Sequence, residues 1–232
     1  MNVKLFADGA DKKIMLETYK NPLVAGFTTN PTLMHKAGIT NYKKFALDIL
    51  ANIKDMPISF EVFSDDFIEM ERQGLEIASW GENVNVKIPI TNTKGESTYQ
   101  LIDNLANKGV KINATAIFTV EQVKHILPAM IKCPSGYISV FAGRIADAGI
   151  DPLPIMKEVV DLLKPYPHLE LIWASPREVF NVVQADEIGC HIITITNDIF
   201  NKIPTIGKDL TEFSLDTVKM FYRDATLSGF SI

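Results

Sequence analysis

The chemistry legible in this sequence begins with a lysine set inside an apolar run, Val84-Asn85-Val86-Lys87-Ile88-Pro89-Ile90. On a β-strand alternate residues face opposite sides, so Asn85, Lys87 and Pro89 oppose Val84, Val86 and Ile88. In a parallel sheet covered by helices neither face is wet. The apolar set would then meet the helices, and Lys87 would point inward. The same parity singles out two carboxylates. Asp8 shares a face with Lys4 and Phe6 against Val3, Leu5 and Ala7; Glu61 shares one with Ser59 and Phe63 against Ile58, Phe60 and Val62. Thr115 follows a fifth apolar segment. A desolvated lysine favours the free amine, a nucleophile toward carbonyls, and a carboxylate nearby can move protons. The bland alternative is an internal ion pair of Lys87 with Asp8 or Glu61. Desolvating such a pair costs several kcal/mol per ion and often only breaks even, so stability is a weak reason for it. The residues alone point toward an imine-forming enzyme and leave the ion pair open.

A second cluster is basic. Arg144 lies in Phe141-Ala142-Gly143-Arg144-Ile145 and Arg177 in Trp173-Ala174-Ser175-Pro176-Arg177. Both follow late apolar segments, and Ser175 stands ahead of a helical pattern whose N-terminus would offer free N–H groups. Barrels often bind phosphate on such late loops. Taken singly, each arginine reads equally well as a solvated side chain.

The elements that must position these groups alternate along the chain. Strands are expected at Val3–Ala7, Val24–Phe27, Ile58–Phe63, Val84–Ile88, Lys111–Ala114, Tyr137–Phe141, Glu170–Ala174 and Ile192–Thr196. Helices are expected near Lys12–Lys20, Tyr42–Ile53, Asp66–Ser79, Gly95–Lys108, Val120–Ile131, Pro154–Lys164, Glu178–Asp186 and Asp198–Ile203, with a long polar loop over Thr28–Asn41. Thr119 with Gln122 suits a capping box. Asp151 with Pro152 suits a helix start, and Gly109 and Gly189 suit helix stops. Eight such units match an α/β fold of the (β/α)8 (TIM) barrel type, whose active sites form at the C-terminal ends of the strands. An open doubly wound sheet also alternates this way, but Asp8-Gly9-Ala10-Asp11 is no dinucleotide fingerprint. Ser214–Asp224 adds a C-terminal helix, followed by a tail, Leu227–Ile232, whose apolar residues suggest packing on a neighbouring subunit or over the barrel mouth.

The chain has 232 residues, 47% hydrophobic and 22% charged, with a formal net charge of −5. That supports a single domain over residues 1–232 and argues against a nucleic-acid partner, which needs clustered Lys and Arg. The start, MNVKLFADGA, lacks the basic and apolar regions of a signal peptide, and no apolar stretch suits a membrane span. Cys133 and Cys190 show no paired spacing and read as inert thiols in a reducing compartment. A cytoplasmic location is therefore expected. His35, His125, His168 and His191 lack metal-ligand spacing, so neither a metal nor another cofactor is expected.

Four runs together carry a family resemblance. Ala25-Gly26-Phe27-Thr28-Thr29-Asn30-Pro31-Thr32 resembles the Thr-Thr-Asn-Pro signature of the transaldolases and fructose-6-phosphate aldolases. Val86-Lys87-Ile88-Pro89 is similar to that family's lysine motif, Gly143-Arg144-Ile145 to its arginine motif, and Ala174-Ser175-Pro176-Arg177 to its phosphate region. The order and spacing hold from residue 3 to 232, and the length suits the short subgroup. The resemblance implies that Lys87 forms an imine with the C2 carbonyl of a ketose. Asp8 would exchange the C4 hydroxyl proton, and Glu61 with Thr115 would hold the water of imine formation and hydrolysis. It further implies that Asn30 and Ser139 bind hydroxyls of the three-carbon unit, that Thr28 supports the pocket, and that Arg144, Ser175 and Arg177 hold a sugar phosphate. Short relatives form pentamers or decamers, so a homo-oligomer is implied too.

Two positions bear on the reaction. Glu61 and Phe141 resemble the transaldolase branch, where the free aldolases typically carry Gln and Tyr. A phenylalanine has no proton to give an enamine, so the enamine would wait for an acceptor aldehyde. Arg177, against a lysine often found in the aldolase branch, leans the same way. The sequence departs from the family pattern at Pro176, at Glu178, which adds negative charge beside the phosphate region, and along Ile193–Asn197. A dihydroxyacetone-releasing aldolase and a non-catalytic sugar-phosphate-binding barrel remain the alternatives.

Overall fold

The computed structural model describes residues 1–230; Ser231 and Ile232, the end of the apolar tail, lie outside the described residues. Two compact units divide the chain at Phe200. The first holds eight parallel strands in one closed barrel, each paired with the next and β8 with β1. They are β1 (Lys4–Asp8), β2 (Val24–Thr28), β3 (Ile58–Glu61), β4 (Val84–Pro89), β5 (Ile112–Ile117), β6 (Gly136–Val140), β7 (Leu169–Trp173) and β8 (Ile192–Ile195). All eight fall where apolar alternation places them.

The helices of this unit are α1 (Lys12–Tyr19), α2 (Pro31–Lys36), α3 (Tyr42–Asn52), α4 (Phe67–Ala78), α5 (Tyr99–Asn107), α6 (Val120–Met130), α7 (Ala142–Asp147), α8 (Leu153–Leu163), α9 (Phe180–Glu187) and α10 (Asn197–Phe200). Side-chain caps start several of them: Asp11, Asn30, Asn41 and Asp66 each accept a backbone N–H three residues on. Thr119 and Gln122 form the reciprocal capping box. Gly109 and Gly189 take positive φ after α5 and α9, as helix stops require.

Four local expectations need correction. The Thr28–Asn41 stretch is not a plain loop, because Asn30 caps α2 and Pro31 opens it. The turn after β6 winds into α7, which apolar alternation did not signal. Asp151 accepts from Leu153 N–H at 2.9 Å, but Pro152 is the cap residue and the helix starts at Leu153. Finally, α9 begins at Phe180 rather than Glu178, because the Asn181 carboxamide draws the Arg177 and Glu178 amides into a turn.

Inside the barrel, Phe6, Ile172, Ala174 and Ile192 pack together, with Ala25, Tyr137 and Phe141 against them. The Phe6 ring fills the space over Gly26, where a Cβ would lie 2.6 Å from it, and meets Tyr137 edge-on at 5.7 Å.

The second unit contains a short 3-10 turn (Ile203–Thr205) and α11 (Leu210–Ser228), which ends on Gly229 in the left-handed conformation. No residue of α11 is buried, and Leu215, Val218, Phe221, Tyr222 and Leu227 stand exposed.

Candidate active site

Strand register brings the ionisable residues together. Glu61 ends β3 directly beside Lys87 of β4, its Cα partner. The Lys87 ammonium nitrogen, Nζ, lies 3.3 Å from Glu61 Oε2 and donates to the Thr29 carbonyl at 3.3 Å. Lys87 is only 6% exposed although it carries a full side-chain amine. Asp8 ends β1 beside Thr28 of β2. The Thr28 hydroxyl donates to Asp8 Oδ1 at 2.7 Å and meets the Thr194 hydroxyl of β8 at 2.5 Å.

Burial pushes the Asp8 carboxyl above its ordinary value, against the opposing pull of the Lys87 charge and the Thr28 hydrogen bond. Burial likewise raises Glu61, with Lys87 again opposing. Two carboxyls that hold protons more firmly than usual thus face one amine. That arrangement suits proton exchange more than structural pairing.

The polar residues around this core each keep some hydrogen-bonding capacity. The Thr115 hydroxyl is buried with no partner among the described residues, a costly arrangement unless something else is to be bound there. Asn30 spends its Oδ1 on capping α2, leaving its amide NH2 as a donor. Ser139 donates to Asn113 Oδ1 at 2.7 Å, and Asn113 donates to Ser59 at 3.0 Å. The Ser139 oxygen can therefore still accept.

The basic end is built by a close backbone approach. Gly143 N–H donates to the Ala174 carbonyl. A Cβ at Gly143 would lie 1.5 Å from the Ser175 carbonyl oxygen, so only glycine fits. Ser175 itself holds φ 58°, a strained conformation for a non-glycine residue. The Arg144 guanidinium stacks 5.3 Å from the Phe141 ring, which rests on Phe118. Arg177 is held side-on by Asp147: its Nε donates to both carboxylate oxygens, and its Nη2 also bonds Oδ2.

Every residue singled out from the sequence lines one cavity of about 480 Å³: Lys87, Asp8, Glu61, Thr115, Thr28, Asn30, Ser139, Phe141, Arg144, Ser175 and Arg177. Glu178 is not among its walls. The helix N-terminus anticipated behind Ser175 is not available there, because the Arg177 and Glu178 amides go to Asn181. Sequence reasoning did not single out seven further lining residues, Pro31, Thr32, Leu33, Lys36, Ala116, Ala174 and Thr194. Lys36 ends the unforeseen α2, and Ala116 takes φ 58° within β5. Thr194 shares the inward parity of Ile192, and that parity was the signal that could have found it.

No group of three or more His, Cys, Asp or Glu able to hold a metal occurs among the described residues. None of the described helices is long and apolar enough to cross a membrane. Cys133 and Cys190 are free and buried.

Comparison with known proteins places this cavity in context. The family described as Transaldolase/Fructose-6-phosphate aldolase matches residues 5–231. A "Probable transaldolase" of Dehalococcoides mccartyi is 34% identical over 218 residues, spanning 92% of this chain and 97% of that protein. "Probable transaldolase 2" of Listeria monocytogenes is 34% identical over 218 residues, spanning 92% and 95%. Among solved structures, dihydrodipicolinate synthase from Rhodopseudomonas palustris superposes with a TM-score of 0.58 at 12% identity, covering 83% of this chain and 69% of that one. At that identity the likeness shows the barrel alone.

Proposed function

Since the chain belongs to the transaldolase/fructose-6-phosphate aldolase family, we propose that it is a transaldolase working through an imine on Lys87. The observation that carries this reading is the buried Lys87 amine, 3.3 Å from Glu61 in a cavity that Asp8 also lines. In the proposed reaction sedoheptulose 7-phosphate donates a dihydroxyacetone unit to glyceraldehyde 3-phosphate, giving erythrose 4-phosphate and fructose 6-phosphate.

The steps follow from these positions. Glu61 is the acceptor within reach of the amine's proton, and the amine then attacks the C2 carbonyl. Loss of water, held by Glu61 and the unpaired Thr115 hydroxyl, gives the protonated imine. Asp8 takes the C4 hydroxyl proton as the C3–C4 bond breaks. The bond's electron pair passes into the imine to form an enamine, and the aldehyde leaves. An incoming aldehyde is attacked by the enamine carbon, Asp8 returns its proton to the new alkoxide, and water releases the ketose. Asn30 and Ser139 orient the three-carbon hydroxyls, while Arg144, Arg177 and Ser175 receive the phosphate. Phe141 offers the enamine no proton, which favours transfer over release of free dihydroxyacetone.

The same reading takes the chain to be a cytoplasmic homo-oligomer. The exposed apolar side chains of α11 support association, and sedimentation should find a species several times the 25.8 kDa chain. The catalytic reading is tested by borohydride reduction with donor sugar, followed by mass mapping, and by a transfer assay with both substrates. An adduct on Lys87 and formation of erythrose 4-phosphate are expected. A chain that gives no adduct with any ketose phosphate defeats the proposal.

A further inference from the structure

We propose that Thr194 is a positioning residue for Asp8: acting through Thr28, its hydroxyl anchors Asp8 Oδ1 and leaves Oδ2 to meet substrate. The inference rests on the proposed role of Asp8 and extends it to a strand that none of the four sequence motifs touches.

β8 flanks β1 on the side opposite β2, and the closed barrel brings Thr194 and Thr28 together above Phe6. The two hydroxyl oxygens lie 2.5 Å apart, and Thr28 reaches Asp8 Oδ1 at 2.7 Å. A threonine hydroxyl carries one proton, and an ionised carboxylate can only accept. With Asp8 ionised, the Thr28 proton is therefore committed to Asp8, and the Thr194 proton must point at Thr28. The chain runs Thr194 to Thr28 to Asp8, both O–H dipoles aimed at the charge. Such charge-assisted bonds are about twice as strong as neutral ones, and each link polarises the next. When Asp8 takes up a proton both hydroxyls can turn, so Oδ1 stays anchored in either state. The ionised state gains more, since only it presents a full charge to the chain.

Both threonines are buried. The charged groups acting on Asp8 are Lys87 from β4 and Glu61 from β3. Among the described residues, the Thr28 hydroxyl of β2 donates to it directly, and the Thr194 hydroxyl of β8 reaches it only through Thr28.

The test is a titration of the Asp8 carboxyl by NMR on protein carrying ¹³C-labelled aspartate, with the resonance assigned by Asp8→Asn. Thr194→Val should move the midpoint upward by roughly half a pH unit, and Thr194→Ser should leave it at the wild-type position. In the transfer assay the acidic limb of the kcat profile should move up by the same amount. A midpoint that stays put or moves down, or a serine variant that behaves like valine, overturns the proposal. Circular dichroism checks folding, and Thr194→Ala replaces valine if that variant does not fold. If no donor traps on wild-type Lys87, the catalytic reading fails by itself, while the titration still decides whether Thr194 acts on Asp8.

Discussion

Substituting alanine for Gly143 tests whether the basic end of the cavity is built by backbone contact. The added Cβ would fall 1.5 Å from the Ser175 carbonyl oxygen and 2.6 Å from its carbon. Carbon–oxygen contacts relax at about 3.3 Å, so the Ser175 segment must withdraw by nearly ~2 Å. Both obstacles are backbone, and Ser175 already holds a left-handed φ of 58°, so no flexible side chain can yield instead. Overpacking of this kind costs about 1–3 kcal/mol; with main chain on both sides, the upper half of that range is expected. For a chain of this length that is a fall in Tm of roughly 4–12 °C. Displacing a binding group by 1 Å can cost on the order of 100-fold in rate. Accordingly, kcat/KM for a phosphorylated donor should drop by about two orders of magnitude. Borohydride trapping of dihydroxyacetone, which has no phosphate, should continue at Lys87. Differential scanning fluorimetry and steady-state kinetics read both effects. A Gly143→Ala protein melting within about 1 °C of wild type, with an unchanged KM for the phosphorylated donor, would refute the reasoning.

Three further outcomes follow from the same geometry. Burial raises Asp8, so the folded chain binds that proton more tightly than the unfolded one. The group's stabilising contribution is complete below its ordinary value of 3.8 and is lost as pH rises through the elevated folded value. Asp8→Asn should therefore gain stability relative to wild type as pH rises from 3 to 8, as urea melts at the two pH values will show. Phe141→Tyr, which puts a phenol beside the enamine, should produce free dihydroxyacetone from fructose 6-phosphate without an acceptor; a coupled dehydrogenase assay that finds none counts against the role given to Phe141. Burial pushes both thiols up to about 12, so Cys133 and Cys190 should resist a disulfide reagent at pH 8 until the chain unfolds.

The barrel was legible because helix-covered parallel strands admit few inward polar residues, and Asp8, Glu61 and Lys87 broke that rule visibly. Strand parity aimed them correctly even where strand ends were misjudged by a residue or two. Short helices were harder. α2 and α7 have six residues each, too few for a periodic stripe. Yet Asn30-Pro31 carried the same cap-and-proline signal that was credited to Asp151-Pro152. The Asp147 clamp on Arg177 joins the end of α7 to the loop between β7 and α9, and no local pattern encodes such a pairing. Glu178 looked hostile to a phosphate in the linear text, but it is not part of the cavity wall. The requirement for Gly143 is equally invisible without the fold, since it concerns empty space beside another segment.

The side-by-side placement of Glu61 and Lys87 on adjoining strands also bears on how the barrel closes. Sliding either strand by one residue turns every side chain to the other face. Such a slip would force an amine or a carboxylate into the greasy layer beneath the helices, at a penalty of several kcal/mol. The pair proposed to carry the chemistry would therefore also penalise misaligned closure. Variants stripped of both charges should lose activity and, with it, a safeguard against wrongly threaded barrels.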